Sequence, residues 1–152
     1  MTYVTVRVQS GAFDTGVEAA ALKLLPGVGA VVTFTGICRG DGGRLAALEL
    51  EHYPGMAETE IQRIADAAGA RWPLAGIAVV HRFGKIAAGD DIVLVATASE
   101  HRQAAFEAAS FVMDYMKNNA PFWKREHLAD GTVGEWVASH RRDDDAETRW
   151  KK

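Results

Sequence analysis

The segment His101–Glu126, HRQAAFEAASFVMDYMKNNAPFWKRE, restricts the possible folds more than any other stretch. Ala105, Ala108, Ala109, Val112, Met113 and Met116 recur at helical spacing and give one broad apolar stripe. Side chains this small let a helix approach a sheet or a second helix closely, so the chain must supply such a surface. Asn118-Asn119 and Pro121 end the helix, because proline lacks an N–H and disfavours helical backbone before it. Cations stand at both ends: His101 and Arg102 at the start, Lys117 in the last turn, Lys124 and Arg125 beyond the proline.

The surface comes from strands. Tyr3–Val8 alternates and predicts a half-buried strand. Thr15 and Glu18 form a capping-box pattern for a first helix carrying Val17, Ala21, Leu24 and Leu25, stopped by Pro26-Gly27 and Gly29. Ala30–Phe34 is apolar on both faces and reads as a central strand. The loop TGICRGDGGR follows, with Arg39 just beyond that strand; it has no GKS or GKT and is not a P-loop.

Leu45–Tyr53 is a further strand, with Glu49, Glu51 and Tyr53 on one face and Leu48, Leu50 and His52 on the other. Ala57, Ile61, Ile64, Ala65 and Ala68 stripe a second helix, ended by Gly69. Ile77–Arg82 and Ile92–Ala98 predict two antiparallel strands joined by a short turn region. Ser99 is the expected N-cap of the third helix, and Gly134–Ala138 a short edge segment. About three helices and five or more strands in mixed order predict a single α+β domain over residues 1–152, with a charged tail from about 140. Trp150 in that tail is expected to dock rather than float.

With 17 basic and 20 acidic residues the net charge is −3, so any anion site must be local. The single cysteine, Cys38, excludes an internal disulfide and a Cys-rich metal site, and its apolar neighbours predict burial. The start MTYVTVRVQS has no signal-peptide character and no apolar run reaches membrane length, so a cytoplasmic protein without membrane contact is expected.

No serine sits in a G-x-S-x-G elbow, and the five histidines are dispersed. Glu49 and Glu51 alone make a poor metal site; a solvated or ion-paired face is the expectation. His81, at a strand end, reads as a core or edge histidine. What remains is cationic: Arg39, His101, Arg102, Lys117, Lys124 and Arg125 all stand at element ends, where a fold gathers side chains around a phosphorylated or carboxylated ligand. The helix C-terminus favours the charged form of Lys117, whereas neighbouring cations favour the neutral form that a base or nucleophile requires. Two other readings stay open: a non-catalytic anion-binding scaffold that would not need Lys117, and an RNA-binding module stacking bases on Phe122 and Trp123. The acidic balance disfavours nucleic acid.

Several segments together, VVTFTGICRG, LELEHYPGMAE, HRFGKIAAGD, SEHRQAAFEA and MKNNAPFWKRE, resemble the catalytic (large) subunit family of molybdopterin synthase, over nearly the whole chain. The resemblance implies an alpha/beta hammerhead fold with a mainly antiparallel sheet. It implies a sulfurtransferase that converts cyclic pyranopterin monophosphate to molybdopterin by installing two dithiolene sulfurs, with no metal or cofactor. Sulfur would arrive as a thiocarboxylate on the C-terminal Gly-Gly of a small ubiquitin-like subunit. A homodimer would form the centre of a heterotetramer.

By the same resemblance Lys117 is a general acid–base or electrostatic catalyst. Lys124 holds substrate and stabilises charge on the reacting carbonyl. Arg39, Phe34 and Met113 line the pocket. His101 and Arg102 grip an anion in the other subunit's pocket, and Arg141 and Arg142 contribute from the tail. The loop GDGGR is more compact than in many relatives, which carry a longer connection there.

Overall fold

The computed structural model describes residues 1–138 and 150–151. In chain order the elements are β1 (Tyr3–Gln9), α1 (Thr15–Lys23), β2 (Ala30–Ile37), a short 3-10 turn (Asp41–Gly43), β3 (Leu45–His52) and α2 (Met56–Arg71). They continue with β4 (Leu74–Arg82), β5 (Gly84–Ala87), β6 (Asp91–Ser99), α3 (Arg102–Asn119), β7 (Phe122–Leu128) and β8 (Val137–Ala138).

The apolar runs of β4 and β6 place these strands at the centre of a four-stranded sheet ordered β1-β4-β6-β2. Both faces are covered. On one, Leu22 of α1 packs with Ala78, Ala96 and Ala98. A Cβ on Gly76 would lie 2.6 Å from Leu25 Cδ1, so the α1 side approaches β4 only because that position is glycine. On the other face Ile77, Val79 and Val95 join Ile61, Ile64 and Ala68 of α2 and Ala108 and Val112 of α3 in the main core. Each large aliphatic buried there contributes roughly 1.5–3 kcal/mol. Thr97, buried opposite Ile77, donates its hydroxyl to Ala105 O at 2.6 Å and pins the start of α3 to β6.

A second four-stranded sheet, β5-β3-β7-β8, closes the end of this core with Leu50, Ile86 and Phe122. The architecture is therefore α+β, with three helices and two sheets rather than one. Among the described strand pairs β1–β4 is parallel and the others are antiparallel.

Several local expectations need correction. Among the described residues β2 is an edge strand, paired with β6 alone, so Arg39 follows an edge and not a central strand. The cap of α1 is Asp14, which accepts from Val17 N at 3.0 Å, while Glu18 pairs with Arg7 at 2.6 Å. Gly69 does not end α2; it lies inside the helix against Thr2, where a Cβ would meet Oγ1 at 3.1 Å. Ser99 closes β6 and donates to Pro73 O at 2.9 Å, so His101 is the N-cap residue of α3.

Segment 84–87, expected as part of a turn region, is a strand, and so is 122–128, for which the sequence shows no strand pattern. Trp150 does dock. Its indole N–H donates to Asp114 at 2.7 Å, and its ring stands edge-on to Trp72 and Phe111.

Candidate active site

Helix α3 delivers Lys117 in its final turn, and the chain then reverses. Ala120 leaves helical geometry at φ −66, ψ 124, and Phe122 N donates to Ala120 O at 2.9 Å, which starts β7 immediately. β7 pairs antiparallel with β3, setting Lys124 opposite Leu50 and Glu126 opposite Leu48. The result is a cleft of about 710 Å³ between the end of α3, the ends of β4 and β6, and the second sheet. Leu48, Leu50, Ile92, Met113, Met116 and Phe122 give it an apolar lining, and Lys117, Lys124 and Arg39 bring positive charge to it.

Arg39 stands at the rim, its side chain 88% exposed and its Nε 3.9 Å from Asp41. The compact GDGGR loop is held by Arg44, which reaches Asp41 at 3.1 Å and Glu126 at 3.2 Å, tying the loop to the cleft wall. Asp41 has φ 49, with Gly42 and Gly43 beside it also at positive φ, which is why glycine dominates this turn. Met113 lines the cleft as expected.

Arg125 belongs less to the anion set than its sequence position implied. Its Nε donates to Glu49 at 2.9 Å, and its guanidinium lies 4.4 Å from the centre of the Trp136 ring. Glu49 also bonds His127 at 2.8 Å, and these hydrogen bonds, His127 first and then Arg125, hold its carboxyl below the usual range. Of the two carboxylates on this face of β3, Glu49 is ion-paired and Glu51 is exposed. Cys38 is buried, and burial pushes its thiol up, which disfavours a reactive thiolate. Among the described residues no group of three His, Cys, Asp or Glu is placed to hold a metal.

The remaining candidates lie elsewhere in the protomer. His101 and Arg102 are exposed at the opposite end of α3, with His101 Nε2 3.5 Å from Glu100. Sixteen helical steps separate His101 from Lys117, about 24 Å at the α-helical rise. Phe34 is on edge strand β2, 41% exposed, and does not line the cleft. Arg141 and Arg142 fall outside the described residues.

The proposed base-stacking pair is also committed. Phe122 is buried beneath His81, and Trp123 stands edge-on to Tyr53, so the two do not form a platform.

In sequence His81 reads as a core or edge histidine at a strand end. In the structure it lines the cleft, with its ring stacked on Phe122 at 4.1 Å and 16°. Its Nδ1 lies 2.8 Å from Arg82 O, and burial pulls its pKa down to about 4. Its alternation with Ile77 and Val79 on β4 was the available signal.

The MoaE protein family model matches residues 8–119. The molybdopterin synthase catalytic subunit of Mesorhizobium japonicum is 60% identical over 148 residues, covering 97% of this chain and 93% of the relative. That of Brucella melitensis is 57% identical over 150 residues, covering 98% and 92%. Among solved structures, the molybdopterin biosynthesis MoaE protein of Burkholderia ambifaria superposes with TM-score 0.85 at 45% identity, covering 98% of this chain and 99% of that one. Molybdopterin synthase from Staphylococcus aureus gives TM-score 0.77 at 31% identity, covering 86% and 94%. Near-complete coverage at these identities carries one conclusion: the chain belongs to the MoaE family, with the molybdopterin synthase catalytic subunits.

Proposed function

We propose that this chain is the catalytic subunit of a molybdopterin synthase, a sulfurtransferase that builds the dithiolene of molybdopterin on cyclic pyranopterin monophosphate. The observation that carries the reading is the meeting of Lys117 and Lys124 in one apolar-lined cleft with Arg39 at its rim. The substrate phosphate and a partner's terminal thiocarboxylate are both anions, and such a cleft concentrates both. Lys117 moves a proton or offsets charge as sulfur leaves the thiocarboxylate. Lys124, on β7, stabilises negative charge on the reacting carbonyl oxygen. Met113 forms part of the wall against which the heterocycle rests.

The sulfur donor is a small ubiquitin-like subunit whose C-terminal Gly-Gly thiocarboxylate enters the cleft, and the reaction needs no metal or cofactor. The working assembly is a homodimer at the centre of a heterotetramer, acting in the cytoplasm. Two features support the homodimer. His101 and Arg102 are too far from Lys117 to serve the same protomer's cleft, by about 24 Å of helix. Among the described residues, edge strand β2 also has one unpaired side and leaves Phe34 and Ile37 exposed, an apolar edge of the kind proteins usually cover. The basic pair and Phe34 then act on a second copy's cleft, with Arg141 added from the tail.

The test is reconstitution. Purified chain, thiocarboxylated small subunit and cyclic pyranopterin monophosphate should yield the dithiolene product without added metal. Absence of product from correctly folded components overturns the reading.

A further inference from the structure

We propose that His81 is a substrate-binding residue whose Nε2 accepts a hydrogen bond from a ring N–H or amino group of the heterocycle in the cleft. The inference rests on the molybdopterin synthase reading for the identity of that heterocycle. Its structural basis is the way three neighbours fix the imidazole.

Alternation along β4 turns His81 to the same side as Ile77 and Val79, and antiparallel pairing sets it opposite Val93, which also lines the cleft. The ring lies flat on Phe122, 4.1 Å between centroids and 16° between planes, and Phe122 is buried, so rotation of the imidazole is restricted. Nδ1 lies 2.8 Å from Arg82 O. A carbonyl only accepts, so Nδ1 carries the hydrogen and the neutral ring keeps its lone pair on Nε2.

No group among the described residues bonds Nε2. Nor is Nε2 sealed and unbonded in the way that His52 Nδ1 is. Nε2 is therefore reached from the cleft that His81 lines. Burial, helped by His52 nearby, keeps the ring neutral at physiological pH.

The chemical need is specific. Arg39, Lys117 and Lys124 are donors, suited to phosphate and carboxylate oxygens. A pterin-type heterocycle also presents N–H and amino donors, and these groups need an acceptor when water is displaced. Of the two glutamates lining the cleft, Glu126 is engaged by Arg44 and Glu135 is exposed. His81 is a neutral acceptor set in the apolar part of the lining, where a ring would lie.

His81→Phe keeps a flat ring against Phe122 but removes the acceptor, and His81→Gln restores an acceptor. In the reconstituted assay His81→Phe should raise KM for the pyranopterin about tenfold, the usual scale for one unmet hydrogen bond, with kcat within about twofold. His81→Gln should recover most of that loss, and both variants should keep a wild-type melting temperature. An unchanged KM in folded His81→Phe overturns the proposal, as does a fall in kcat alone or a Gln variant no better than Phe.

Should a variant fail to fold, the wild-type chain decides. Its His81 Nε2 nitrogen resonance should move when pyranopterin is added, and a resonance that stays fixed while other cleft signals move overturns the proposal. Failure of the wild-type chain to make product at all counts instead against the sulfurtransferase reading.

Discussion

The two ends of α3 carry similar cations and have different surroundings. At the N-terminal end β6 enters the helix through two residues, Glu100 and His101, and the His101-Arg102 pair is exposed. At the C-terminal end Pro121 stops the helix and β7 turns back onto β3, so Lys117 faces a wall carrying Lys124. Cations at a helix end make a cleft only where the following chain encloses them. On the proposed function the contrast would give the ends separate roles: Lys117 in its own cleft, and the basic pair in a second copy's.

The largest expected effect is at the enclosed end. Lys117→Ala should lower the rate of dithiolene formation by about 10²–10³ or more, the scale seen when a positioned electrostatic group is lost, while the melting temperature holds. Retained activity would remove Lys117 from the chemistry and favour a scaffold role. Lys124→Ala should cost less, about 10- to 100-fold, and lysine-to-arginine exchange there should restore part of it. Arg102→Ala tests the open end, and about a tenfold loss is expected, appearing mainly in KM for the phosphorylated substrate.

Acid should sharpen the same contrast, because the enclosed end holds a neutral histidine. Burial pulls the folded-state pKa of His81 down to about 4 from the ordinary histidine value of 6.5. The unfolded chain therefore binds more protons between these values, and the stability that His81 contributes above pH 6.5 is lost as pH falls toward 4. The loss should approach roughly 3 kcal/mol, and denaturant melts of wild type and His81→Phe across that range should show it in wild type alone.

The smallest effect on activity is expected midway along the helix. Trp150→Ala removes the indole from Asp114, Phe111 and Trp72, and should cost about 2 kcal/mol of stability with little change in rate.

Much of this fold was legible in residue patterns. Apolar runs marked β4 and β6, and spaced alanines marked α3 as a close-packed helix. β7 was not legible, because Phe122, Lys124 and Glu126 alternate with Trp123, Arg125 and His127. Both faces mix charge with aromatic character, one lining the cleft and the other meeting Glu49, so the apolar–polar period is absent. β2 looked central for the opposite reason. Its apolar side chains at Phe34 and Ile37 remain exposed in the protomer, and burial on both faces was inferred from a surface left open at the edge. The lysines and Arg39 were found as cations at element ends. For His81 alternation on β4 shows only which side of the strand it takes, while its ring orientation comes from Phe122, 41 residues later in the chain.

The division of labour between the two helix ends can be measured in mixed dimers. Co-expressed Lys117→Ala and Arg102→Ala chains form heterodimers in which one cleft has an intact Lys117 and receives an intact Arg102 from the other copy. With random pairing in a two-fold dimer and the pyranopterin held well below KM, where the Arg102→Ala loss is expressed, reconstituted dithiolene synthesis should recover to about a quarter of the wild-type rate. A mixture no more active than its two parents would show that Arg102 does not serve a second copy's cleft, and would contradict the account.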